Sequence, residues 1–349
     1  AQLDKLSEIS HGKYNLQPEI PNSQFPSEKD NAAIAVVDTK TGHVIGLSTN
    51  SSDPTVPFTS IHSSGSTVKP FLDYAPALEY GMITQNSTLN GNGANSLSGV
   101  AYSGTQLGLD TSAPQNYGGQ NYGMVNASFA LGLSLNSAAL QVFKMTTNDQ
   151  KLSILQPLGV AKTFNDHLDE NGNADESLSI NYTISMLEEA SAYSAFGNDG
   201  IRVTPTAISN IKIDGKEVQI KKPDSIRAMS SSTARSINNM LQFVTKPNGS
   251  EPKAASEYIG QPSGNYSVKS GLSNYPQTEM AQYSPDALMS YTSQDISVSV
   301  WFGAPNMSTN YEWGIPNGTG NLPENNTRVY LLNSTVKAMM NGKTSSPFT

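Results

Sequence analysis

Apolar and polar positions change period several times along this chain, and each change marks an element. Residues 1–31 are polar, carry Pro18, Pro21 and Pro26, and hold no sustained period, as a linker or lead-in would. "AAIAVVDTKTGHVIGLS" then forms two β-rich runs, about 32–38 and 43–48, around a turn with Thr41 and Gly42, which predicts a hairpin. "SGSTVKPFLDYAPALEYG" predicts a helix from about Ser66, with Gly65 ahead of it and Gly81 to end it. Pro70 fits only within the first turn, where its missing N–H is not needed. Residues 86–122 are rich in Gly, Asn and Ser, as a long loop would be. Helical patterns return in "NASFALGLS", "NSAALQVFKMTT", "DQKLSILQPLG", "SMLEEASAYSAFGNDG" and "STARSINNMLQFVT". After them "NYSVKSGLS", "DALMSYTS" and "DISVSVWFG" alternate like three consecutive strands of an antiparallel sheet. In "NTRVYLLNSTVKAMMNG", Val329, Leu332, Val336 and Met339 step by three and four, which predicts a closing amphipathic helix. The order predicts an α+β body whose sheet is built from both ends of the chain. Its sheet part covers 32–60 and about 260–349, and a helical and loop subdomain covers about 66–245.

Bulk properties narrow the function. The chain has 349 residues, enough for a large core, and carries net charge −8 from 21 basic and 29 acidic residues. Four arginines in an acidic chain argue against a nucleic-acid surface. The absence of cysteine excludes a disulfide framework and a thiolate nucleophile. No apolar run reaches ~18 residues, and "AQLDKLSEIS" lacks the basic and then apolar regions of a signal peptide. Asn-x-Ser/Thr strings, as at Asn86, Asn126, Asn181 and Asn317, are what a chain rich in these residues makes by composition. No pair of histidines has metal-ligand spacing, so no metal and no cofactor is expected.

"STVK" occurs twice, at Ser66–Lys69 and Ser334–Lys337. With 46 serines and 17 lysines, chance alone gives about two Ser-x-x-Lys strings, and the chain has five. Chemistry separates them. A serine hydroxyl needs a base to take its proton, and residues three apart on a helix share a face. The lysine must be neutral, and lowering its pKa from ~10.4 to ~7 costs roughly 4–5 kcal/mol. Burial and a second cation supply such a shift. Ser334 sits mid-helix near the chain end with no later motif to complete a site, so it reads as a polar position on a docking helix. Ser66 opens a helix, where backbone N–H groups are free. Downstream of it lie Ser134-Leu135-Asn136 and Lys269-Ser270-Gly271.

Ser-x-x-Lys, Ser-x-Asn and Lys-Ser-Gly, in that order, resemble the motifs of the penicillin-recognising serine enzymes. The flanks "GSTVKPFLDYAPALEYG", "QNYGMVNASFALGLSLNSAA", "SAYSAFGNDGIRVTPTAI" and "VSVWFG" are similar to the transpeptidase domain of class A penicillin-binding proteins, over roughly residues 30–340. Other copies are decoys. Lys40-Thr41-Gly42 is a hairpin turn that precedes Ser66, and of the Ser-x-Asn strings only Ser134 lies in the matching "SLN" context.

The resemblance implies a central antiparallel sheet of about five strands flanked by helices, over residues 32–349, preceded by a linker remnant. It implies that Ser66 attacks the carbonyl between two D-alanines of a peptidoglycan stem peptide, with Lys69 as base. Ser134 would relay a proton to the leaving amine, and Asn136 would hold the substrate amide. Lys269 would be the second cation keeping Lys69 neutral. Ser270, with Gly271 and Ser273 beside it, would meet the terminal carboxylate, and the N–H groups of Ser66 and Leu272 would form an oxyanion hole. β-Lactams would acylate the same serine. Leu272 departs from the family, which usually has Thr or Ser there, and so lacks a hydroxyl. Class A proteins carry a membrane anchor and a glycosyltransferase domain ahead of this region, so the chain reads as a soluble piece of a membrane-anchored protein. Its place would be the extracellular face of the bacterial cytoplasmic membrane, among the cell-wall synthesis machinery.

Four rivals stand beside this reading, and sequence separates the D,D-carboxypeptidase from it poorly. A serine β-lactamase would show Glu-x-x-Leu-Asn between the second and third motifs, which is absent. A D,D-carboxypeptidase differs only in using water as acceptor. A non-catalytic surface sensor would have a ruined motif set. A Ser-His-Asp hydrolase would need a histidine beside its serine; "GLSLN" is one residue short of a nucleophile elbow, and His62 reads as a loop residue.

Overall fold

The computed structural model of the chain describes residues 2–11, 31–93, 114–218, 220–273, 283–284, 286–303, 315–316 and 323–348. Five strands form the central sheet: β1 (Asn31–Asp38), β2 (Val44–Thr49), β3 (Tyr266–Leu272), β4 (Asp286–Ser293) and β5 (Ile296–Gly303). Their order is β3-β4-β5-β1-β2, and every neighbouring pair is antiparallel. The continuous apolar run of β1 suits its central place, because both of its faces are covered. β3 is an edge strand.

The register sorts the chemistry by face. Lys269 pairs with Ser290, Ser290 with Ser299, and Ser299 with Ala35. Residues directly opposite share a face, so these four side chains form one row. On that face Ala33, Ala35, Leu288 and Trp301 pack against Met186 and Ala190 of the helix Met186–Gly197. On the other face Ile34, Val36, Met289, Val298 and Val300 cluster with Leu331, Leu332 and Val336 of the helix Pro323–Met340. The helical subdomain includes Ala127–Gly132, Asn136–Lys144, Asn148–Leu158 and Ser231–Leu241. We label the four helices used below α1 (Gln2–Ser10), α2 (Asn136–Lys144), α3 (Met186–Gly197) and α4 (Pro323–Met340). Among the described residues no helix is long and apolar enough to cross a membrane.

Four expectations change. Residues 2–10, read as part of a periodless lead-in, form α1; Leu6 and Ile9 are fully buried, and Leu6 lies over Gly46 of β2, where a Cβ would meet it at 2.6 Å. The expected helix from Ser66 has three pitches: a 3-10 turn at Gly65–Val68, a wide π turn at Pro70–Tyr74, and an α turn at Ala75–Glu79. The closing helix is not amphipathic: Asn333, Ser334 and Thr335 are as buried as Leu332, because α4 is held between the sheet, α1 and the turn Ser256–Ile259. The loop expected over 86–122 contains a short pairing of Thr88–Asn90 with Met124–Asn126, and its stretch 94–113 lies outside the described residues.

Candidate active site

The site is assembled from three segments that the sheet and the helical subdomain bring together. Ser66 is half-buried in the 3-10 turn, and Lys69 follows at its end, fully buried. The Lys69 Nζ donates to the Ser134 carbonyl at 2.7 Å and to Asn136 Oδ1 at 2.7 Å, and stands 3.4 Å from Ser134 Oγ. Ser134 joins the helix Ala127–Gly132 to α2 with φ at +61°. A non-glycine residue held there stores on the order of 1–3 kcal/mol of strain. That conformation turns its carbonyl and its hydroxyl toward the amines. From β3, Lys269 Nζ donates to the same Ser134 Oγ at 2.7 Å and to the Ser270 carbonyl at 2.9 Å. One hydroxyl thus lies between two buried lysines that are two hundred positions apart in sequence.

Their proton affinities follow from that burial. Burial lowers Lys69 to about 7, against an opposing pull from the nearby Asp73 carboxyl. Lys269 is held well below its ordinary value, first by burial and then by Lys69. Both amines are thus held below the ordinary lysine value, chiefly by burial, and each disfavours a proton on the other. A neutral Lys69 has two N–H donors and one lone pair, and the two short contacts to Ser134 O and Asn136 Oδ1 use both donors.

The Ser66 turn and β3 touch backbone to backbone. A Cβ on Gly271 would lie 2.0 Å from the Ser64 carbonyl and 3.1 Å from the Ser66 nitrogen. A Cβ on Gly65, whose φ is +50°, would lie 2.3 Å from the Leu272 carbonyl oxygen. Only glycine allows either approach. Ser273 N–H donates to the Asp286 carbonyl of β4. Hydrogen-bonded and free pairs alternate in an antiparallel ladder, so the N–H of the preceding Leu272 points the other way, off the sheet edge.

Other predicted residues are placed differently. Ser270 is buried in β3. The Ser273 hydroxyl is already committed to Asp286 Oδ2 at 2.9 Å. The Asn136 amide nitrogen donates to the Gln115 carbonyl at 2.8 Å, so holding a substrate amide requires that contact to exchange. Ser334 is buried in α4, on the face of the sheet opposite α3, and its Oγ has no partner among the described residues. His62, read as a loop residue, lies in a two-residue strand paired with Thr183–Ile184, with its ring against Trp301.

Residues 32–301 match the family model of the penicillin binding protein transpeptidase domain. The chain belongs to this family. It is 26% identical over 299 residues to penicillin-binding protein 1A of Streptococcus oralis, covering 82% of this chain and 44% of that protein. It is 26% identical over 323 residues to penicillin-binding protein 1A/1B of Bacillus subtilis, covering 86% and 31%. The chain thus spans less than half the length of these relatives. Among solved structures, the penicillin-binding protein PonA1 of Mycobacterium tuberculosis superposes with a TM-score of 0.73 at 16% identity, covering 100% of this chain and 85% of that one. Penicillin binding protein 3 of the same organism, complexed with aztreonam, gives 0.65 at 16%, covering 99% and 77%. Both likenesses establish the transpeptidase fold.

Within this transpeptidase domain, three charged residues escaped the sequence reading. Arg328 of α4 is nearly buried; it donates to the Gly271 carbonyl at 2.8 Å and pairs with Glu251 at 2.5 Å. It therefore holds the strand that carries Lys269. Asp73 is fully buried behind Lys69, with neither carboxyl oxygen partnered among the described residues, and burial raises its pKa well above the usual range. Glu189 of α3 accepts the Ser290 hydroxyl at 2.6 Å, and burial pushes it up to about 7. For Asp73 and Glu189 the available signal is a charge inside a largely apolar helical run; Arg328 offers none.

Proposed function

We propose that this chain is a D,D-transpeptidase that cross-links peptidoglycan stem peptides through a Ser66 acyl-enzyme, and that β-lactams acylate the same hydroxyl. The observation that carries the reading is the convergence of Lys69 and Lys269 on the Ser134 hydroxyl. Lys69 follows Ser66 by one turn, and the turn that carries Ser66 meets the Leu272 backbone at Gly65. Neutral Lys69 takes the Ser66 proton as Oγ attacks the carbonyl between the two D-alanines. The N–H groups of Ser66 and Leu272 stabilise the oxyanion, where one such donor is worth ~3–4 kcal/mol. Ser134 passes a proton to the leaving D-alanine amine and regains one from the lysine that took it. The second half-reaction runs in reverse: an amine of a neighbouring stem peptide attacks the ester, gives up its proton through the same groups, and releases Ser66. The carboxylate of the stem peptide is met by the Ser270 hydroxyl of β3. The enzyme works outside the cytoplasmic membrane, among the cell-wall synthesis machinery, as part of a longer anchored protein.

A stem peptide ending in D-Ala–D-Ala, supplied with an amine acceptor, tests this. Cross-linked product is expected from the chain, and none from Ser66→Ala. Water alone as acceptor would make it a carboxypeptidase, and no turnover with no penicillin adduct would make it a binding domain. The pH profile has a fixed sign. Lys69 acts only when deprotonated, so acylation is expected to be flat above about 7 and to fall about tenfold per unit below it. A rate independent of pH between 5 and 8 would remove Lys69 as the base.

A further inference from the structure

Four segments meet in a buried cluster beside the oxyanion donors. His62 lies four residues ahead of Ser66, and its ring stacks on the Trp301 indole of β5, with centroids 3.7 Å apart and planes 20° apart. Its Nδ1 is 3.3 Å from Asp286 Oδ1 at the start of β4. The same oxygen accepts the Trp301 Nε1–H at 2.8 Å. Asp286 Oδ2 accepts the Ser273 hydroxyl at 2.9 Å, and the Asp286 N–H donates back to that hydroxyl at 3.1 Å. Asp286, Ser273 and Trp301 are all at most 4% exposed. His62 Nε2 is buried without a partner among the described residues, so the ring proton belongs on Nδ1, facing the carboxylate.

The order of groups decides what the cluster does. Hydroxyl and imidazole contact opposite oxygens of one carboxylate, so no base faces Ser273 and this is not a hydrolytic triad. The carboxylate instead ties two chain segments together. Ser273 adjoins Leu272, and His62 leads directly into Ser66. The two amides of the proposed oxyanion hole ride on these separate segments. Backbone contact at Gly65 and Leu272 sets how near they come. A second fixed point is needed to stop the strands sliding past each other, and Asp286 supplies it through His62, Trp301 and Ser273.

We propose that Asp286, acting with His62 and Trp301, is a positioning group that holds the Ser66 and Leu272 amides at oxyanion separation. The inference rests on the Ser66 acyl-enzyme reading. It claims a hydrogen-bonding geometry rather than a charge. Misplacing reacting groups by about 1 Å costs about a hundredfold in rate.

The test measures acylation of the whole chain by a fluorescent penicillin. It reads the rate at saturation and the half-saturating concentration separately, and thermal unfolding in parallel. Asp286→Ala is expected to lower the saturated rate about ten- to a hundredfold, with half-saturation moved less than about threefold. Asp286→Asn keeps an acceptor for Trp301 and a partner for Ser273, and should recover most of that loss. His62→Phe keeps the stack and removes only the Nδ1 contact, with an expected loss of about three- to tenfold. It also carries the test should Asp286→Ala fail to fold. Folded Asp286→Ala or His62→Phe at the wild-type saturated rate would overturn the proposal. So would a loss confined to half-saturation, or Asp286→Asn no faster than Asp286→Ala. A wild-type chain that penicillin does not acylate at Ser66 overturns the functional reading and this inference together; acylated wild type with unchanged variants overturns this inference alone.

Discussion

Leu272 presents its N–H off the edge of β3, but where the family usually carries a hydroxyl it offers a branched alkyl group. A hydrogen bond to a carboxylate is worth roughly 1.5–3 kcal/mol, so Leu272→Thr is expected to speed penicillin acylation about ten- to a hundredfold. Stopped-flow acylation rates check this, and no gain would contradict it. The residues nearest this chemistry were legible from sequence because each is written in a short string. Ser66 and Lys69 share one turn, Ser134 and Asn136 one helix junction, and Lys269 and Gly271 one strand. The supporting residues were not. Arg328 reaches Gly271 across 57 positions, and Asp286 reaches Trp301 across 15, so neither pairing leaves a local pattern. Ser273 shows the converse. Its place after Lys-Ser-Gly suggested a substrate contact, but strand alternation turns it toward Asp286.

Strands β1, β4 and β5 are buried along nearly their whole length, and a run of apolar and small residues of that kind is visible without any partner. Helix α1 was missed for the opposite reason. Over nine residues few apolar side chains recur, and its stability comes from packing that only the folded sheet offers, with Leu6 seated over Gly46. Leu6 is fully buried there, so Leu6→Ala is expected to cost about 2–5 kcal/mol in urea unfolding. A change below about 0.5 kcal/mol would make α1 the dispensable lead-in that its composition suggests. The closing helix taught the same lesson. Its three-and-four spacing was read correctly as a buried stripe, but Asn333, Ser334 and Thr335 are buried too, because α1 and a neighbouring turn cover what should have been the wet side.

Glu189 bolts α3 to the sheet row that also carries Lys269, and so links the stability of the whole molecule to the pH at which its site works. Burial raises the folded carboxyl from 4.5 to about 7. Between those values the folded state binds the proton that the unfolded state has lost. Its contribution is therefore complete below about 4.5 and is lost as pH rises through 7, by on the order of 3 kcal/mol. Denaturant unfolding across that range should show the decline, and Glu189→Gln should flatten it; an unchanged slope would place the titration elsewhere. On the proposed mechanism the same interval frees Lys69 to act as a base, so activity is expected to rise while stability falls. The proposed chemistry is centred on the Ser66 hydroxyl. Mass spectrometry of the penicillin-treated chain, followed by peptide mapping, tests that most directly. The expected result is one adduct per chain, on the peptide containing Ser66; an adduct on Ser134, Ser270, Ser334 or any other serine, or none at all, would contradict it.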